Sequence, residues 1–438
     1  MGVQTWIIIS DPEIAQDIFS ARGSITSMRP YNTFCHEFYS KSGRGIAFGN
    51  PGKKWRKTRS AVHSIMTSKA IENFIPQIEY EAKSIVEQMI SATETKQSID
   101  PRHYLQLMSL NIILMVMVNR RAKSLEDPIA IETMYFIDDL FRETGATTDV
   151  SAFFPIMSIV DRFTGIRKYY EEIIATKRDP YIQRLIQQGL SCDKDCLVKA
   201  LYSRKEEYGL DDTDLLVAFG DILIGATDTT ATALTWSLAI LSHHADVQKK
   251  IADEIDAFTK QYGRAPNIND RSAFPYTICV IKECLRTRSV GAFGVPHATS
   301  EDFEYKGYYI PKGATLLANL MELNRSPSRF DNPHAFYPER YANDNKSMSA
   351  SAAGPVQERD HYTFGWGRRI CPGINLAEAE IFMLFAQLFG NCTVEPDVDP
   401  QGQPIYPDIK STVHSGLMAF PKSYNYNLHK PTYRALAD

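Results

Sequence analysis

Cys371 lies in the stretch YTFGWGRRICPGINLAEAE, residues 362–380, between glycines and two arginines and just ahead of an apolar helical run. Three readings are open for such a cysteine: a small buried hydrophobe, a nucleophile or a metal ligand. A nucleophile wants a histidine base and a group to orient it, and no local signature of a cysteine hydrolase surrounds Cys371. The helix that follows turns its N-terminus toward the sulfur, which favours thiolate over thiol. A second candidate is GATDTT, residues 225–230, which sets an acid, Asp228, beside an alcohol, Thr229, in a nearly all-apolar run. An acid next to an alcohol can relay protons. The plainer alternative is a pair of helix-interior polar residues bonded back to carbonyls.

Further charged groups recur at helical spacing. Glu283 and Arg286 in KECLRT are one turn apart and can pair, and FYPERY supplies Arg340 downstream. Trp55 and Arg59 stand at i,i+4 in GKKWRKTR, and His297 sits in GVPHATSED. The two pairs have ordinary readings: a solvated surface salt bridge, and a core tryptophan beside a surface arginine.

The elements that must position these groups are mostly helical. SKAIENFIPQIEYEAKSIVEQMI and PRHYLQLMSLNIILMVMVNRR carry apolar residues at three-to-four spacing. Residues 211–244 form a very long, nearly all-apolar helix, which must be buried on most faces. Helices follow in DVQKKIADEIDAFTKQYG and PYTICVIKECLRTRS. Strand signals are few. TWIIIS opens the chain, followed by a helix that Asp11 caps and Pro12 begins, and residues 303–320 predict a hairpin around Lys306-Gly307 and a further strand. The Pro- and Ser-rich residues 326–360 predict a packed meander or functional loop. The fold class expected is mainly α with a small β subdomain.

Phe364, Gly367, Arg369, Cys371 and Gly373 match F-x-x-G-x-R-x-C-x-G at every fixed position. By that match the chain resembles the cytochrome P450 family of haem-thiolate monooxygenases. The other motifs follow in the family's order, so the resemblance runs along residues 1–438 as one domain. It implies the cytochrome P450 fold, a haem b (iron protoporphyrin IX) held through Cys371, and an axial thiolate that promotes O–O cleavage. It implies that Arg369, Trp55 and Arg59 meet the haem propionates, with His297 where the family often has an arginine, and that Phe364 and Gly373 contact the haem. It implies too that in GATDTT Ala226 leaves room for dioxygen while Asp228 and Thr229 relay protons, and that Glu283, Arg286 and Arg340 form a structural triad beneath the haem.

By the same resemblance the substrate is a small lipophilic or aromatic molecule. The expected substrate-facing residues lie in 34–46, at Phe219 and Ile222, and in 290–295 and 411–416, with Phe34, Phe38, Phe219 and Phe293 as aromatic walls. SMRPYNTF is similar to fungal aryl-acid hydroxylases of the family, which points to secondary metabolism. No G-x-G-x-x-G opens a βαβ unit, so electrons are expected from a separate NADPH-cytochrome P450 reductase docking on the Lys53 and Lys57 side. The resemblance implies the cytoplasmic face of the endoplasmic reticulum membrane, although no run reaches the ~18 apolar residues of a span. The membrane anchor, first helix and first strand usual at the family's N-terminus are expected to be missing. Two rival functions remain: a haem-thiolate isomerase or dehydratase, which an intact Asp228-Thr229 pair counts against, and a truncated haem-binding protein without turnover.

Bulk composition narrows the class independently. With 44% hydrophobic and 23% charged residues, the 438-residue chain is ordinary globular protein with room for a large core. A net charge of -4 argues against nucleic acid as a partner. Seven scattered cysteines do not make a disulfide framework, and Cys192 and Cys196 lack a second pair at zinc spacing.

Overall fold

Asp211 begins the element around which the fold is built. Its side chain accepts from the Asp214 amide while Asp214 accepts from the Asp211 amide, a closed capping box that starts a 30-residue helix, Asp212–Leu241. The computed structural model describes residues 3–96, 98–144, 149, 150, 154, 157 and 163–429. The principal helices are labelled α1 (Lys53–Ile65), α2 (Ile75–Lys96), α3 (Arg102–Val118), α4 (Pro128–Glu143), α5 (Asp179–Ser191), α6 (Leu197–Ser203), α7 (Asp212–Leu241), α8 (Ala245–Tyr262), α9 (Pro275–Thr287) and α10 (Ile374–Phe389). Helix α7 is buried on nearly every face, as its composition requires, with the nearly all-apolar α3 packed along it. Asn119 stops α3 in the left-handed region, at φ 53°. By length and composition α7 would cross a membrane, but 83% of its apolar window is buried inside the fold. It is the only such helix among the described residues.

The helix expected from Ser68 onward is divided in two. Ser68–Glu72 is a short helix capped by Thr67, and α2 begins afresh at Ile75. Pro76 explains the break. Its ring would strike the carbonyl four residues back in a continuous helix but fits a first turn.

The strands make small sheets. β1 (Trp6–Ile9) runs parallel to β5 (Thr315–Ala318), which pairs antiparallel with β2 (His297–Ala298). β3 (Phe303–Tyr305) and β4 (Tyr308–Ile310) form the expected hairpin, with Lys306 at φ 51° and Gly307 at φ 81°, a two-residue turn of the kind that suits strand twist. β6 (Thr393–Val398) lies between β7 (Pro404–Ile405) and β10 (Tyr426–His429). β8 (Val413–Ser415) pairs with β9 (Met418–Phe420). Residues 326–360 are a packed meander with single turns at Pro338–Tyr341, Met348–Ala353 and Val356–Glu358.

Two apolar cores result, a large one among the helices and a smaller one under β1 and β5. The cysteine loop joins them. Tyr362 and Trp366 belong to the smaller core, whereas Phe364, Ile370 and Cys371 pack against the larger.

Candidate active site

The loop before α10 is shaped by close approach. Gly367 has φ +52°, and a Cβ there would stand 2.5 Å from the Phe19 carbonyl oxygen, so only glycine fits. The Cys371 amide donates to the Phe364 carbonyl at 2.9 Å, and α10 starts three residues later with Gly373 as its cap. Burial pushes the Cys371 thiol up, while the Gly373 amide and the Arg59 cation pull the other way.

Cys371 borders a cavity of about 380 Å³. Of the residues singled out in the sequence, Arg59, Ala226, Thr229, His297, Phe364, Arg369 and Gly373 line the same cavity. Thr229 donates to the Gly225 carbonyl at 2.6 Å. Two candidates stand behind the wall. Trp55 is buried, donates from Nε1 to the Ile46 carbonyl at 3.2 Å, and lies 4.4 Å from the guanidinium of Arg369. Asp228 is buried and turned toward Gln106 of α3, whose Nε2 donates to it at 2.7 Å. The acid and the alcohol therefore occupy different faces of α7, where the sequence had suggested an adjacent pair.

One side of the cavity is crowded with cations. Arg369 donates to the carbonyls of Ser27, Ile46 and Gly49 at 3.0, 3.0 and 2.6 Å. Arg59 donates to the Ile370 carbonyl. Arg29, which the sequence did not single out, donates to Ala47, Val295 and Pro296 at 2.8, 2.8 and 2.7 Å. Burial and mutual repulsion hold Arg29 well below its usual range and bring Arg369 down to about 9, and burial also lowers Arg59. His297 donates from Nδ1 to the Thr26 carbonyl at 2.9 Å, and burial and then Arg29 hold it well below the usual imidazole range. The acid among these groups is Asp221, pushed up to about 6 by burial against the pull of the Ile46 and Ala47 amides and of Tyr39. Three guanidiniums, Arg369 buried and Arg29 and Arg59 half-buried, facing one carboxyl fit a group that brings its own negative charges. A thiol on the same apolar wall fits an iron porphyrin with two carboxylates.

The family model described as Cytochrome P450 matches residues 1–427. The chain belongs to the cytochrome P450 family. It is a haem-dependent monooxygenase, an oxidoreductase that incorporates molecular oxygen. It is 27% identical to the cytochrome P450 monooxygenase virE of Hypocrea virens, over 97% of this chain and 77% of that protein. It is 29% identical to the cytochrome P450 monooxygenase atE of Aspergillus terreus, over 88% of this chain and 72% of that one. A zebra fish cytochrome P450 solved with progesterone superposes with a TM-score of 0.81 at 21% identity, covering 98% of this chain and 95% of the other, which establishes the fold.

This P450 holds its meander with a buried ionic knot. Both Arg286 nitrogens that face Glu283 donate to it at 2.7 Å, and Arg340 Nε donates to Glu283 Oε2 at 3.0 Å. Arg286 also donates to the carbonyls of Asn324, Pro333 and Ala335, and the Tyr337 amide donates to Glu283 at 2.8 Å. None of these three side chains lines the cavity.

The aromatic walls differ from expectation. Phe293 and Ile222 line the cavity, but Phe34, Phe38 and Phe219 do not. Phe34 and Phe38 close on Tyr170, at 5.1 and 5.8 Å, in a separate cluster. Phe219 shares a helix face with Ala226 two turns along, but at its height that face is covered by Tyr202, whose ring stacks on it at 6.4 Å. The aromatic lining instead includes Phe48 and Phe141, which no sequence spacing marked. Asp221 had a faint signal, an acid in an apolar helix two turns before Asp228. Arg29 had none beyond its charge.

Proposed function

We propose that Cys371 would hold a haem b through its thiolate, and that the whole chain acts as one P450 domain oxygenating a small lipophilic or aromatic molecule. The observation that carries this reading is the convergence of a thiol, a cavity-facing alcohol and three guanidiniums on one apolar cavity. When bound, the haem supplies dioxygen binding and reductive O–O cleavage, which an axial thiolate favours. Arg29, Arg59 and Arg369 would neutralise the propionates, with Trp55 supporting Arg369 from behind, and Phe364 and Gly373 would border the macrocycle. His297, held neutral with its hydrogen on Nδ1 bonded to Thr26, stands where a cation is often found but supplies none. Ala226 keeps α7 slim beside the cavity. Phe48, Phe141, Phe293 and Ile222 exclude water and favour an apolar guest. Glu283, Arg286 and Arg340 support the loop and take no part in chemistry. The family resemblance supports residence at the cytoplasmic face of the endoplasmic reticulum. Reduced wild-type protein exposed to carbon monoxide should give a strongly red-shifted Soret band; a band typical of histidine-ligated haem would overturn the assignment.

Thr229 is read as the cavity-side end of a proton relay, with Asp228 behind it. Thr229→Ala should keep consuming NADPH while releasing hydrogen peroxide, and product formed per NADPH should fall about tenfold or more. Product per NADPH at the wild-type level would leave Thr229 as a helix residue only.

An NADPH-cytochrome P450 reductase is the proposed electron donor. At the start of α1, Lys54 is tied to Asp211 and Asp214 at 3.2 and 2.8 Å, whereas Lys53 and Arg56 are exposed and Lys57 is half-buried. Exposed cations there would steer an acidic partner, an effect that fades with salt. Replacing Lys53 and Lys57 by Glu should slow reductase-driven turnover most at low ionic strength and leave peroxide-driven turnover unchanged. A parallel fall in both would assign the lysines to folding or haem retention.

A further inference from the structure

Asp228 is buried where α7 meets α3, and its Oδ2 has no hydrogen-bond partner among the described residues. Its Oδ1 accepts from Gln106 Nε2 at 2.7 Å. The Gln106 Oε1 lies 3.0 Å from Nδ1 of His103, one turn earlier on α3, and the His103 side chain is exposed. An unbroken hydrogen-bonded chain thus joins solvent to the acid beside Thr229. Its direction follows from the groups themselves. An ionised carboxylate only accepts, so the Gln106 NH2 faces Asp228; the amide oxygen then faces His103, whose Nδ1 must carry hydrogen. Every hydrogen points inward.

The surroundings make this pairing expensive without a purpose. Leu105, Leu107, Met108 and Leu110 on α3 are fully buried, and polar groups in such an interface are unfavourable unless they serve one another. The charged groups facing Asp228 are Asp138 of α4 and Arg102 and His103 of α3. Arg102 is itself engaged with Asp138 at 3.3 Å. Burial pushes Asp228 up to about 6, where it can both take and release a proton near neutrality.

We propose that His103 and Gln106 form the solvent-side proton inlet to Asp228, feeding the relay through α3. The inference rests on the reading of Asp228 and Thr229 as a proton relay. In the first transfer the imidazolium N–H of His103 breaks and an O–H forms on Gln106, while a Gln106 N–H breaks and an O–H forms on Asp228. Neutral imidazole, a neutral carboxylic acid and the imidic-acid form of Gln106 result. After Asp228 has passed its proton on, the Gln106 terminal group turns over. It then gives its O–H proton to Asp228 and takes one at nitrogen from reprotonated His103, which restores the amide with its oxygen toward Asp228, and a second turn of the group brings the NH2 back to the acid. A full cycle carries two protons inward, and inserting one oxygen atom while reducing the other to water consumes two.

The direct test is a pH jump on haem-loaded protein without reductase or NADPH, following the carboxylic-acid infrared band of Asp228, identified by its loss in Asp228→Asn. Gln106→Met and His103→Ala should slow the rise of that band about tenfold or more. Gln106→Met should also raise its titration midpoint, because the amide hydrogen bond favours the ionised form. Haem content and thermal midpoint should be unchanged. His103 is exposed, so its variant reports even if Gln106→Met folds poorly. In turnover both variants should release more peroxide and less product per NADPH. A wild-type protonation rate in both variants overturns the inlet, whatever happens to turnover. Wild-type coupling in Thr229→Ala would instead overturn the relay reading, leaving the inlet to be judged on the protonation rate alone.

Discussion

Cys371→Ala yields folded protein that lacks the strongly red-shifted carbon monoxide band and forms no product. The substitution removes one sulfur atom and leaves the backbone bond from residue 371 to the Phe364 carbonyl in place, so the loop keeps its shape. Other soft or basic side chains do reach the cavity. Met66 and Met418 line it, but a thioether carries no negative charge, and the Nδ1 of His297 is engaged by the Thr26 carbonyl. None can stand in for a thiolate, whose electron donation favours O–O cleavage. Circular dichroism should match wild type while the Soret position and activity do not. A retained red-shifted band would show that another ligand holds the iron and would sink the assignment of Cys371.

Arg286→Ala is expected to give little folded, haem-loaded protein. Arg286 and Glu283 are both fully buried, and Arg340 is nearly so. Deleting one member of a buried ion pair typically costs roughly 3–5 kcal/mol, because its partner is left charged and desolvated. Here the carbonyls of Asn324, Pro333 and Ala335 lose their donor as well. A typical domain has only about 5–15 kcal/mol in hand. Arg286→Lys should recover little, since an ammonium cannot reproduce the two parallel bonds of a guanidinium to Glu283. Haem content per chain and the thermal midpoint measure both variants. Wild-type values in Arg286→Ala would mean that the knot does not hold the meander.

Where local chemistry leaves one solution, the sequence was sufficient. Asp211 ahead of an apolar run starts α7, Lys306-Gly307 between short strands makes the turn of β3 and β4, and Glu283 and Arg286 one turn apart pair as expected. The cysteine loop is legible by its motif, although the contact that demands Gly367 is the distant Phe19 carbonyl. Pro76 carried a boundary signal too, which the apolar periodicity on both sides concealed.

Tertiary packing decided what faces the cavity. Helical phase alone puts Phe219 and Ala226 on one face of α7, yet Tyr202 covers the first and leaves the second open. Asp228 and Thr229 are neighbours in sequence, but about 100° of rotation per residue separates them, and Gln106 on α3 claims the acid. Arg29 reaches Val295 and Pro296, and Arg369 reaches Ser27, across more than two hundred residues of chain. Spacing rules describe one helix or one turn. The cation cluster, the aromatic lining and the direction of the acid arise where separate elements meet, so only the packed fold determines them.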